Sequence, residues 1–169
     1  MGIVSQIGPA LAAEFAIPDV GALTVIVSRL LTAIVLGGAL GLERESKGRA
    51  AGLKTHILVS LGSALFVLAP LQAGASLDDV TRVMQGIVSG IGFLGAGAIL
   101  KLDKEERVQG LTTAAGIWMT AAIGMAAGMG MQMVAVATTL AALAVVGMLP
   151  RLMPDSLTSA GKVDTGPDT

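Results

Sequence analysis

Three stretches of this sequence carry no Asp, Glu, Lys or Arg: Thr55–Leu77 (23 residues), Val83–Leu100 (18) and Val108–Pro150 (43). Runs of that length leave a chain few options. About 20 apolar residues, rising 1.5 Å each in a helix, cross the roughly 30 Å hydrocarbon core of a bilayer. The longest run has room for two spans, with a break expected at Gly128-Met129-Gly130-Met131-Gln132. Upstream, Ala22–Leu42 is apolar except for Arg29. Five transmembrane helices are therefore predicted, over residues 22–42, 55–73, 83–100, 111–129 and 132–149. The fold class is an all-α polytopic bundle in contact with the lipid bilayer. Pro150 and Pro154 limit the last helix.

Composition excludes the alternatives. Hydrophobic residues make up 53% and charged residues 14%, against about 25% charged in a soluble domain. Mean hydropathy is +0.79. Neither a soluble globular domain nor a disordered chain reads this way. The absence of Cys excludes disulfides, thiolate metal sites and a Cys nucleophile. A net charge of -1 gives no nucleic-acid signal.

The chain divides into residues 1–21, a transmembrane domain over 22–150, and a polar tail over 151–169 expected to be disordered and cytoplasmic. Ala10-Leu11-Ala12-Ala13 resembles a signal-peptide cleavage site, but Met1–Leu11 has no Lys or Arg for the n-region. The opening segment instead reads as a short interfacial helix ending near Pro18. Orientation follows the basic residues. Arg44, Lys47, Arg49 and Lys54, then Lys101, Lys104 and Arg107, then Arg151 and Lys162 fall on one side, and only Arg82 on the other. This places the N-terminus outside and the C-terminus in the cytoplasm.

The two basic loops share the pattern R-x-x-G-L-x-T, at Arg49–Thr55 and Arg107–Thr113. A gap-free offset of 58 residues makes seven of twenty pairs from Leu36 to Thr55 identical. A parallel repeat of helices 1–2 and 3–4 is one reading; low complexity is the other. Locally, each Gly is expected to turn the chain and each Thr to cap the next helix. Lipid offers helices no hydrophobic reason to associate, so close backbone contact must help. Three G-x-x-x-G pairs are available for packing: Gly37/Gly41, Gly86/Gly90 and Gly124/Gly128. Helix 3 is the richest in glycine, with Gly95 and Gly97 following Gly90 beside Phe93, and is expected at the centre. Intramolecular packing and homo-oligomerisation are both open to these faces. Trp118 reads as packing.

Polar positions inside the spans are the candidate functional residues. Arg29 lies in the body of helix 1, where a charge is costly; it either snorkels outward or pairs with Asp19, Asp78 or Asp79. Arg82, Gln85 and Ser89 share one helical face, as interhelical hydrogen bonds or as a polar groove. Asp78 or Asp79 is expected to cap that helix. A third cluster holds Glu43, Arg44, Glu45, Arg49, Lys54, Thr55 and His56. Its carboxylates either pair locally with Arg44, Lys47 or Arg49, or serve a partner or effector. His56, the one His, reads as a hydrogen-bonded interface residue and not as a metal ligand.

Gly41-Leu42-Glu43-Arg44-Glu45 with Gly48-Arg49-x-Ala51-Gly52-Leu53-Lys54-Thr55-His56 resembles the first signature of the MgtC/SapB family of bacterial membrane proteins. Asp78-x-x-x-Arg82 with Ser89-Gly90-Ile91-Gly92-Phe93-Leu94-Gly95-Ala96-Gly97 resembles the second, and Gly110-Leu111-Thr112-Thr113-Ala114-Ala115-x-x-Trp118 the third. Lys54 stands where the family usually has Arg, losing a planar fork for bidentate contacts. Well-known members also carry a C-terminal ACT-like soluble domain, which the 20 residues after the last expected span do not supply. Functions needing that domain are not expected of this sequence.

The resemblance implies a protein of the bacterial inner membrane linked to low-magnesium growth and intracellular survival. It also implies a membrane partner, of which the F-type ATP synthase is one. A non-enzymatic regulator acting by helix contact fits best. An ion channel or transporter, Mg2+ included, is the alternative. Mg2+ prefers oxygen ligands, yet helices 2 to 5 hold no carboxylate and helix 1 offers only Glu43 near its end. Neither a catalytic set nor a cofactor motif is read. Gly90-Ile91-Gly92-Phe93-Leu94-Gly95 matches a dinucleotide fingerprint in letters only, because it lies within a span.

Overall fold

A computed structural model describes residues 3–16, 18–102 and 107–152. The polar tail expected over 151–169 lies outside them, except for its first two residues. All five predicted helices are present. They are α2 (Val20–Ser46), α3 (Leu53–Gln72), α4 (Leu77–Gly97), α5 (Leu111–Gly128) and α6 (Gln132–Leu152). A short α1 (Ile3–Glu14) precedes them, and strands β1 (Leu100–Leu102) and β2 (Arg107–Gln109) join α4 to α5. Three helices, α2, α3 and α5, are long and apolar enough to cross a membrane by length and composition. Two expected spans are outside that set: α4, whose first turns carry Asp78, Asp79, Arg82 and Gln85, and α6, which counts over Gln132–Met148 as a shorter apolar helix.

Helix starts follow local chemistry. Asp19 caps α2, its carboxylate accepting from the N–H groups of Gly21 (2.9 Å) and Ala22 (3.0 Å). Ser76, not Asp78 or Asp79, caps α4. Its hydroxyl accepts from the Asp79 N–H at 3.2 Å and donates to the Asp79 carboxylate at 2.6 Å. The cap starts α4 at Leu77, and the helix ends at Gly97. Residues 100–102, expected as helix and loop, instead pair antiparallel with 107–109. Gly110 then adopts φ 92°, and a Cβ there would lie 2.0 Å from the Ala98 carbonyl oxygen. No other residue turns this hairpin into α5 without strain.

The centre of the bundle is α5, not the glycine-rich α4. Ten of the 18 residues of α5 are buried, whereas α4 buries Val80, Ile91 and Gly95. Glycines do set the interfaces, but on other helices. A Cβ on Gly37 would lie 2.6 Å from the Ser60 Cβ, and one on Gly41 would lie 2.8 Å from the Leu53 Cα, so α2 meets α3 at backbone distance. Gly124 and Gly128 do the same for α5 against the Ser60 and Ala64 carbonyls of α3. Gly86, Gly90, Gly92 and Gly97 have nothing within 4 Å. Two of the three G-x-x-x-G pairs therefore act within the chain, and the third faces outward. Ala33, Leu40, Ala64, Ile123, Ala127 and Ala135 fill the core between α2, α3, α5 and α6.

Candidate functional site

Arg29 is neither snorkelling nor paired with a carboxylate. Its Nη1 donates to the carbonyl of Gly128, the last residue of α5, at 2.9 Å. The final carbonyls of a helix lack internal partners and carry its negative dipole end, which a guanidinium complements. Asp19 is already committed as a cap, and the Asp79 carboxylate accepts from Ser76 and Arg82. Gln132 joins the same helix end, its Nε2 donating to Ala127 O at 3.3 Å while its Oε1 is buried without a partner. Replacing Arg29 by Met should cost about 1.5–3 kcal/mol, the range for a hydrogen bond with a charged partner. Thermal unfolding in detergent reads this; an unchanged midpoint would rule out the cap.

At the other end of α2, Glu43 and Arg44 form a salt bridge. Arg44 is 3% exposed and Glu43 half-buried. Glu45 does something the sequence did not reveal. Its Oε2 accepts from the Leu53 N–H at 2.7 Å, so it caps α3 across the intervening loop. Gly52 leaves room for that carboxylate, since a Cβ there would sit 2.7 Å from Glu45 Oε2. Thr55 and Thr113 therefore do not cap: they lie inside α3 and α5, whose N-caps are Gly52 and Gly110. The two R-x-x-G-L-x-T loops also differ in shape, one a tight turn and the other a hairpin exit with Gly110 left-handed.

His56 is fully buried, and its Nδ1 donates to the Gly52 carbonyl at 2.9 Å. A carbonyl can only accept, so the ring proton belongs on Nδ1 and Nε2 is left as an acceptor. Among the described residues Nε2 has no partner, nor does the hydroxyl of Ser60, one turn further along α3. Ser63 is buried on the same side. The spacing His56, Ser60, Ser63 was the available signal for this polar seam.

On α4, the Arg82 side chain is 78% exposed and, among the described residues, bonds to Asp79 alone, at 3.3 Å. Asp78, Gln85 and Ser89 are exposed. These residues share an outward face and do not line a groove. Arg49 and Lys54 are likewise exposed. Trp118, expected in packing, is 47% exposed.

The groove that does exist is apolar. About 560 Å3 lie between α3 and α4, walled by Leu58, Gly62, Phe66, Gly86, Gly90 and Leu94. Leu94 also borders a second depression of about 380 Å3, lined by Ala51, Thr55, Phe93, Gly97 and Ile117. Here the three signature segments meet, the third only through Ile117, one of its unspecified positions. Among the described residues, no group of three or more His, Asp or Glu side chains is placed to hold a metal ion.

Residues 30–154 match the model of the MgtC family. SrpB of Synechococcus elongatus is 47% identical over 114 residues, covering 61% of this chain and 63% of its own length. YhiD of Escherichia coli K12, whose description proposes magnesium transport, is 47% identical over 110 residues, 61% of this chain and 50% of its own. Protein MgtC of Salmonella typhimurium LT2 is 44% identical over 111 residues, 66% of this chain and 46% of its own. The alignments thus span about half to three-fifths of these relatives. No solved structure matches. With a family model covering most of the chain and helices suited to a bilayer, this membrane protein belongs to the MgtC family.

Proposed function

We propose that the chain is a non-enzymatic, multi-pass protein of the bacterial inner membrane that regulates another membrane complex by helix contact. Its setting is growth at low magnesium or intracellular survival, and its orientation is N-terminus outside, C-terminus cytoplasmic. One observation carries the reading. The outward face of α4 holds the pair Gly86/Gly90, which has nothing within 4 Å among the described residues and lines the groove against α3, next to the depression where the three signature segments converge. Small residues of this kind let a second helix approach closely. Phe93, 83% exposed, offers an apolar anchor beside them.

A photo-crosslinking residue at position 90, compared with one at buried Ile123, tests this in intact membranes. Adducts with a second membrane protein are expected at 90 and not at 123. The F-type ATP synthase is the first partner to probe. Adducts only with a second copy would replace the regulator reading by self-association; adducts with no other chain would end it. The description of YhiD favours magnesium transport as the second reading. Proteoliposomes are expected to show no saturable Mg2+ uptake, and robust uptake would reverse the preference.

A further inference from the structure

A second cavity, of about 290 Å3, lies between α2, α5 and α6, away from the α4 groove. Leu40, Met119, Ala142, Val145 and Val146 give it apolar walls, and Arg44 is the one charged side chain lining it. We propose that a glycerophospholipid of the bilayer seats one acyl chain here and places an ester or phosphodiester oxygen on the Arg44 guanidinium.

The donor inventory of Arg44 motivates the assignment. Nε and Nη2 are taken by Glu43, with the Val146 carbonyl 3.4 Å from Nη2. Nη1 makes no hydrogen bond among the described residues. Unlike Glu43 Oε1, which is buried without a partner, Nη1 is not fully enclosed, so this N–H on the cavity wall is free to take an acceptor from outside the chain. Charge then selects the ligand class. Glu43 already neutralises Arg44, so a bare anion would lose its hydration for little net attraction. An amphiphile brings a chain whose burial drives binding, and its oxygens need only a donor. Arg44 sits two residues from the end of α2, beside the loop that resumes at α3.

The inference does not depend on the regulator reading. Its test is native mass spectrometry of the intact chain, delipidated in detergent and titrated with phosphatidylethanolamine. Wild type is expected to retain one lipid per chain. Arg44→Gln should weaken retention by about tenfold or more, the scale of one lost hydrogen bond to a charged group. Ala142→Phe, which fills the cavity from α6 and leaves the ion pair intact, should abolish it. Val83→Phe, in the groove between α3 and α4, should retain the lipid as wild type does. Inorganic phosphate should not bind. Wild type without lipid, lipid held equally by Ala142→Phe, or phosphate binding that Arg44→Gln removes would each overturn the proposal.

Discussion

Gly124→Ala should break the native bundle, while Gly90→Ala should leave it intact, although each glycine belongs to a G-x-x-x-G pair. A Cβ at Gly124 would lie 2.2 Å from the Ser60 carbonyl oxygen and 2.9 Å from its carbon. Both atoms are backbone of α3, so no rotamer change relieves the collision and whole helices must part. The parting also removes the Gly128 contact, where a Cβ would lie 2.5 Å from the Ala64 oxygen. Overpacking usually costs about 1–3 kcal/mol, and a rigid backbone partner places this case at about 3 kcal/mol or more. At Gly90 the new methyl meets nothing. There, Ala replaces Gly in a helix with a gain of about 0.4–1 kcal/mol through the unfolded chain. Melting followed by circular dichroism in detergent separates the two. Equal stability of both variants would show that α3 and α5 do not touch as described.

Glu43→Gln should destabilise the chain more than the double variant Glu43→Gln/Arg44→Met. Removing the carboxylate alone strands a guanidinium that is 3% exposed. Breaking a buried pair from one side costs about 3–5 kcal/mol, whereas replacing both partners by groups of similar volume is often neutral. The sign of the difference matters more than its size. If the double variant is as unstable as the single, the loss comes from packing at residue 43 and not from the stranded charge. The same melting assay gives the answer.

Much of the architecture was legible because a bilayer permits few solutions. Charge-free runs located four of the helices and an apolar stretch broken only by Arg29 located the first, since a helix satisfies its own backbone polar groups in lipid. What failed to show was which helix faces which. Gly37, Gly86 and Gly124 look alike in a string of letters, yet two of them meet backbone and one meets empty space. Periodicity gives a face its character but not its neighbour, and α4 was misplaced for that reason. The polar residues show the same limit. Arg29 finds a carbonyl 99 residues away, and Glu45 reaches over a loop to the first turn of α3. Both partners are backbone atoms, which every residue possesses and no motif announces. Side-chain pairs with short spacing, such as Glu43 with Arg44, were within reach; caps formed across space were not.

The Arg29 cap has a consequence for how the protein is made. Synthesis runs from the N-terminus, so α2 emerges long before the end of α5. Throughout that interval its arginine has no α5 carbonyl to meet, and residence in the hydrocarbon is at its most costly. Completion of α5 supplies the acceptor and locks the first long helix to the fifth. A nascent chain cut short before Gly128 would expose an unmatched charge in its leading segment. An unfinished molecule thus differs physically from a finished one by an arginine that lacks its acceptor.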